Sequence, residues 1–386
     1  YTQLSVDIED RLPLLERLRR GGKQALAKAG VHLSVCSRIV RAARQLTRQS
    51  AVEPDGAGSQ PALSPGALLA LAYPERIARR REGSDWRYLM ASGRGVFLPE
   101  GDSLTRSEFL VVARLDAGRS EGRIFMAASI DLEQIRQIQK LRIKNRFEVV
   151  WESRSRSVVA REKEMLGELV LASRALKNPP VEALRQAMLA GIHAMGLEAL
   201  PWNGETRQWR LRLQSLRQWQ PHANWPDLSD AGLAAGLDQW LAPWLDGITS
   251  QAQLKRLDLA SILKSQLDWP RQRLLDRLAP THIQVPSGSR KRLEYRPGEA
   301  PVLKVKLQEM FGLQRTPAVC DGEVPVMLHL LSPAQRPVQV TQDLSGFWER
   351  TYRDVKKELR GRYPKHYWPD NPWEAQPTAR LKPRSG

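Results

Sequence analysis

The side chains best suited to chemistry in this chain are cationic. Arg76, Arg79, Arg80 and Arg81 stand close together, and Arg94 sits in a glycine-bounded turn, Ser92-Gly93-Arg94-Gly95. Near the other end Arg353, Lys357 and Arg360 recur at i, i+4 and i+7, one face of a helix, and Arg362 and Lys365 extend the run. A guanidinium presents a rigid fork of donors that matches phosphate oxygens, while lysine adds a mobile point charge. Glycine lets the backbone come close to a ligand. All ten residues are therefore candidate nucleic-acid contacts, with Tyr88 and Phe97 as candidate surfaces for base stacking. Plainer readings stay open: a solvated turn at Arg94, core packing for at least one of the two rings, and a salt-bridged surface helix in which Glu349, Asp354 and Glu358 neutralise the basic face.

Charge balance points the same way. Of 386 residues, 60 are Lys or Arg and 42 Asp or Glu, a net charge of +18 that favours a polyanionic partner. Nucleotide hydrolysis has no support. A phosphate-binding loop needs Gly, four residues, then Gly-Lys-Ser/Thr, and the nearest sequence, Gly21-Gly22-Lys23-Gln24, lacks both the upstream glycine and the hydroxyl. Dinucleotide, nucleophile-elbow and zincin motifs are missing as well. The six histidines are scattered, and Cys36 and Cys320 have no neighbouring cysteine, so a metal site is not expected. The carboxylate pairs Glu9-Asp10 and Glu162 with Glu164 read as solvated edges. No cofactor is expected in this chain. Sparse cysteine, the lack of a membrane span and an acidic, unsignal-like start, Tyr1 to Asp10, lead us to expect a soluble, cytoplasmic protein. Beginning at Tyr1 without Met, the chain reads as a fragment or trimmed form of something longer.

The elements that must position these groups give a multi-domain α+β protein. Ile8, Leu12, Leu15 and Leu18 mark one helix; Val31, Val35, Ile39, Val40 and Ala43 mark a second, with Arg38, Arg41, Arg44 and Arg48 on another face. Together they make a helical-bundle segment over 1–50. Residues 51–66 are rich in Pro, Gly, Ser and Ala and read as a linker. A helix is expected over Ala67 to Arg80. Short strands follow at Trp86–Met90, Arg94–Leu98, Glu108–Leu115 and Arg123–Ile130, then a helical insert from Asp131 to Arg146. A hairpin, Phe147–Trp151 and Val158–Ala160, and a closing run, Leu166–Leu171, complete a small β-barrel over 67–175. A helical region spans 176–280, with its tryptophans at core spacing, and an α+β domain spans 281–386. In the latter, Trp348, Tyr352, Val355 and Leu359 form the buried face of a helix from Phe347 to Tyr363.

Several blocks resemble the rear of bacterial HrpB-type DExH-box helicases. Leu71-Ala72-Tyr73-Pro74-Glu75-Arg76-Ile77-Ala78-Arg79-Arg80 with Tyr88-Leu89-Met90-Ala91-Ser92-Gly93-Arg94-Gly95 is similar to the entry of that family's OB-like domain, and Glu108 to Ala113 to its next strand. Leu275-Asp276-Arg277-Leu278-Ala279-Pro280-Thr281-His282-Ile283, Leu307-Gln308-Glu309-Met310-Phe311-Gly312, His329 to Ala334, Arg336 to Thr341 and Arg360-Gly361-Arg362-Tyr363-Pro364-Lys365-His366 resemble its C-terminal extension. The resemblance implies a ratchet-like bundle end, an OB-like barrel and a C-terminal domain, with the RecA-like motor absent from this chain. It implies ATP and Mg for the parent helicase, an inactive chain in isolation, and single-stranded RNA or DNA as partner. The alternative is a scaffold that docks another protein through the C-terminal extension.

Overall fold

A computed structural model describes residues 5–28, 31–49, 63–116 and 121–381. Contacts divide the chain into two compact units, Tyr1–Glu148 with Ala160–Asn178, and Val149–Val159 with Pro179–Gly386.

The first unit begins with helices α1 (Ile8–Arg19), α2 (Lys23–Lys28) and α3 (Leu33–Gln49). They bury a small core of Leu18, Leu26 and Cys36. The apolar faces expected from spacing are only partly covered, since Leu12, Val35 and Ile39 are exposed. Most of the expected linker, 51–62, lies outside the described residues. Its last positions are instead the start of a helix: the Ser64 hydroxyl accepts the Ala67 N–H at 3.1 Å and Pro65 opens α4 (Pro65–Ala72). A Cβ at Gly66 would lie 1.9 Å from the Ser129 carbonyl oxygen, so glycine lets α4 pack directly on backbone. The helix expected to reach Arg80 stops early. Pro74 drives Tyr73 out of the helical region, and the next residues form a 3-10 turn and a strand.

That strand, β1 (Ile77–Arg80), starts a closed barrel with β2 (Arg87–Met90), β3 (Gly95–Phe97), β4 (Phe109–Leu115) and β5 (Gly122–Ser129), in the order β1-β2-β3-β5-β4. Neighbours are antiparallel except β3 and β5, which run parallel with Phe97 opposite Arg123. Ala78, Tyr88, Met90, Val96, Leu98, Leu110, Val112 and Ile124 fill the interior. A second core lies outside the barrel wall. There Ile77, Phe109 and Val111 meet Ala70 of α4, Ile135 of α5 (Leu132–Ile138), and Leu166, Leu169 and Leu171. The insert expected as helix to Arg146 is thus half as long, because Lys144 already begins β6 (Lys144–Glu152). The run expected to close the barrel does not. Leu166 ends β7 (Ser157–Leu166), Gly167 turns with φ +56°, and Leu169 begins β8 (Leu169–Ala175), in a separate sheet ordered β6-β7-β8.

The second unit carries α6 (Val181–Met195), α7 (Gly204–Trp219), α8 (Asp230–Ala235), α9 (Leu237–Trp240), α10 (Gln251–Leu254), α11 (Leu259–Lys264) and α12 (Trp269–Leu278). Strands β9 (His282–Gln284), β10 (Arg290–Glu294) and β11 (Val302–Lys306) follow. A two-stranded ladder of β12 (Ala318–Val319) and β13 (Val324–Pro325) precedes β14 (Met327–Leu331) and β15 (Pro337–Thr341). The main sheet is ordered β15-β14-β11-β10-β9, with β11 and β14 parallel. Short α13 (Leu344–Gly346), a π turn over Phe347–Thr351 and α14 (Tyr352–Arg362) make one helical rod. Residues of 176–280 and of 281–386 bury their side chains in one continuous core, to which Trp209, Trp225, Trp240 and Trp348 contribute. Trp244 and Trp269 are exposed.

The C-terminal rod is pinned by rings. Phe311 lies 5.9 Å from both Trp348 and Tyr352 and 6.1 Å from Tyr367, and the Trp348 indole donates to the Leu313 carbonyl at 2.9 Å. We expect Trp348→Ala to cost roughly 3–5 kcal/mol, as truncation of a buried tryptophan usually does. Denaturant unfolding checks this; a loss below about 1 kcal/mol would contradict the packing.

Candidate nucleic-acid interface

The five arginines expected as nucleic-acid contacts beside the barrel are spread over its strands and loops. Strand alternation and loop geometry separate them, and each has internal partners. Arg76 donates to the Ala113 carbonyl at 3.0 Å and lies 4.7 Å over the Tyr73 ring. Arg79 pairs with Glu108 at 2.9 Å and donates to the Val170 carbonyl. Arg80, on the opposite side of β1, donates to the Thr105 carbonyl at 2.9 Å. Arg81 pairs with Glu121 at 3.0 Å, and Arg94 donates to the Asp116 carbonyl at 3.1 Å. A guanidinium held by a carbonyl tacks a loop to a strand, and part of its donor set is used there.

Tyr88 is not a platform either. It is fully buried, and its hydroxyl donates to the carbonyls of Leu104 (3.1 Å) and Ser107 (2.9 Å). Burial pushes its phenol up to about 12. Phe97, one strand over, points the other way, toward the outer face.

On that outer face lies a surface that spacing alone did not reveal. Arg87, Phe97 and Arg123 stand side by side across β2, β3 and β5. Trp86 meets Phe97 edge to face at 5.9 Å, with Arg87 stacked 4.8 Å over the indole. Phe125 carries Arg123 at 5.7 Å and Arg114 at 5.8 Å. Trp86 and Phe125 are 36% and 40% exposed, unusual for rings on a barrel whose interior is closed. Beside Phe125 opens a cleft of about 820 Å³ whose walls include Arg11, Arg114, Arg123, Glu100 and Asp102. Asp10 lines it too, so three carboxylates face three arginines there. The one sequence signal for this face was the alternation Arg123-Ile124-Phe125, in which Ile124 points inward.

The five C-terminal candidates differ from the barrel arginines. Arg353, Lys357, Arg360 and Lys365 are exposed and make no ion pair or hydrogen bond among the described residues. Of the expected neutralising pairs only Arg362 with Glu358, at 3.1 Å, is present. Arg353, Lys357 and Arg360 share one wall of a shallow hollow, while Arg362 and Lys365 do not line it.

In the turn between α1 and α2 the Gly21, Gly22 and Lys23 amides donate to the carbonyls of Leu18, Arg17 and Gly21. Among the described residues no helix is long and apolar enough to cross a membrane.

A family model described as ATP-dependent helicase C-terminal matches residues 240–372. Over 317 residues the chain is 42% identical to the ATP-dependent RNA helicase HrpB of Escherichia coli strain K12. The chain belongs to the HrpB family, as its C-terminal region. The match takes in 82% of this chain and 39% of that helicase, so the chain spans about two fifths of the relative's length. A crystal structure of the E. coli DExH-box NTPase HrpB is similar at 42% identity and a TM-score of 0.53, again over 82% of this chain and 39% of that one.

Two of the HrpB-like blocks carry internal ties, whereas the block Arg360 to His366 carries exposed cations. In Leu275 to Ile283, the Ala279 carbonyl and the Asp276 carboxylate each accept from the buried Arg212 at 2.6 Å, and the Pro280 carbonyl accepts from the Tyr295 hydroxyl at 2.7 Å. In Leu307 to Gly312, Gln308 donates to the Tyr367 carbonyl and the Gly312 amide to the Pro372 carbonyl, both at 2.9 Å. Buried Glu309 accepts from Lys291 at 2.8 Å.

Tyr88→Phe tests the split between core and platform. Two carbonyls lose their donor, so stability should fall by about 1–3 kcal/mol while affinity for oligouridylate stays unchanged. Chemical denaturation and fluorescence anisotropy on one preparation check it; weakened binding at full stability would make Tyr88 a contact residue after all.

Proposed function

We propose that this chain is the RNA-gripping accessory region of an HrpB-type helicase, and that its barrel is an OB-like module. The strand order and the single parallel pair support the OB-like reading. The observation that carries the function is the row of rings, exposed Trp86 and Phe125 with half-buried Phe97, and exposed guanidiniums along β2, β3, β4 and β5. Bases of a single strand stack on Trp86, Phe97 and Phe125, which are sequence-tolerant because every base has a π face. Arg114 and Arg123 lie over Phe125, and Arg87 lies over Trp86 while also pairing with Glu121 at 3.7 Å, so Arg114 and Arg123 meet the flanking phosphates with little further ordering. The chain supplies grip and no hydrolysis; ATP turnover belongs to RecA-like motor domains of the family, with which this region works in cis or as a partner. The further division of the second unit into a helical and an α+β domain, and the assignment of 1–50 to the end of a ratchet-like bundle, are part of the same proposal. The +18 charge supports a polyanionic partner over a purely protein one.

Phe125→Ala and Arg123→Ala in the full chain test it, with fluorescein-labelled oligouridylate as probe. Loss of one stacked base removes roughly 1–3 kcal/mol, between about fivefold and 150-fold in Kd. Arg123→Ala should flatten the plot of log K against log salt by about 0.7. Unchanged affinity in both folded variants would remove the barrel face from RNA contact.

A further inference from the structure

The last helix presents a second cationic surface, of a different kind. The α14 rod is fixed on one side by Trp348, Tyr352 and Leu359, all buried, and by the Tyr352 hydroxyl donating to the Pro369 carbonyl at 2.9 Å. Its opposite side carries Arg353, Lys357 and Arg360. With 1.5 Å of rise per residue, these span roughly 10 Å of helix axis. Together with Lys356, Gly361 and Pro364 they line an open hollow of about 590 Å³. The neighbouring acid that would most directly discharge the hollow is occupied. Asp370 is paired with Lys356, whose hydrogen bond and charge hold the carboxyl below its usual range, with a smaller contribution from Arg360. Glu358 is taken by Arg362 at 3.1 Å. Glu349 and Asp354 remain on the rod without an ion pair to the three cations.

What the surface lacks is as informative. Among the described residues from 341 to 380 no large apolar side chain is exposed. A protein partner of useful affinity needs buried aromatic or aliphatic anchors at the centre of its footprint, and none is offered. The rings of this stretch are buried or half-buried, and none of them lines the hollow. Unpaired cations with no apolar anchor favour a polyanion, and a phosphodiester chain offers its charges at regular intervals.

We propose that Arg353, Lys357 and Arg360 form a second RNA contact that reads only the phosphodiester backbone of a single strand, independent of its bases. This rests on the reading of the chain as a single-strand-binding region. It makes the grip two-part: a barrel face that holds bases and phosphates, and a helix face that holds phosphates alone. Contacts on two separate units raise the affinity of any strand able to engage both.

The full chain carrying Lys357→Ala and Arg360→Ala tests the contact, against labelled oligouridylate and an abasic ribose-phosphate oligomer of equal length. Two lost phosphate contacts should lower the salt slope by about 1.4, and by the same amount on both probes. Phe125→Ala, by contrast, should weaken binding of oligouridylate only. Lys357→Glu with Arg360→Glu should weaken both probes further at low salt, with an unchanged melting temperature. An unaltered slope and affinity in both double variants, while Phe125→Ala still weakens binding, would overturn the helix contact and leave the barrel reading standing. No change in any of the three would overturn both. A loss confined to oligouridylate would show that the helix reads bases, and would overturn the backbone-only assignment.

Discussion

A closed barrel of five short strands has no room inside for anything but side chains that fill it. Ala78, Tyr88, Met90, Val96, Leu98, Leu110, Val112 and Ile124 take those places. Because side chains alternate along a strand, each inward residue forces its neighbours outward. The outer surface then has two fates. Where Ile77, Phe109 and Val111 emerge, α4, α5 and the β7–β8 turn cover them. Where Arg87, Phe97, Arg123 and Phe125 emerge, nothing among the described residues buries them to the same degree, and charge mixes with aromatic surface. The nucleic-acid face follows from closure and from which side the helices occupy.

The same residue type does opposite work in the two units. Around the barrel, Arg76, Arg79, Arg80, Arg81 and Arg94 spend their donors on carbonyls and carboxylates that tie loops to strands. In the second unit the ties are made by Arg212, Gln308 and Lys291 at the junctions of α12, the sheet and the C-terminal tail. The rod that ends in α14 is held by Trp348 donating to the Leu313 carbonyl and Tyr352 to the Pro369 carbonyl, which leaves its far face uncommitted. Density of arginine along a sequence therefore does not measure cationic surface; what counts is whether a backbone oxygen lies within reach.

Periodicity made much of this legible. The strands near 86–130 and the buried face of Trp348, Tyr352 and Leu359 follow from spacing. The helix expected over Ala67 to Arg80 failed because a proline at 74 and the inward demand for Ala78 outweighed local helical pattern. Leu166–Leu171 looked like a barrel strand because apolar alternation does not say which sheet a strand joins. The ring-and-arginine face stayed hidden for a related reason. Phe97 and Arg123 are neighbours only through the parallel pairing of β3 with β5, a long-range register that no local pattern encodes. Tyr88 and Phe97, equivalent as aromatic residues of adjacent strands, were separated only by which one faced in.

The most direct test of the account is photocrosslinking of oligouridylate to the intact chain under ultraviolet light, with adducts located by peptide mass spectrometry. Base contact on the barrel's outer face predicts adducts at Trp86, Phe97 and Phe125, competed away by unlabelled single strand, and none at the buried Tyr88. Adducts confined to other segments, with Trp86, Phe97 and Phe125 unmodified at saturating RNA, would contradict it.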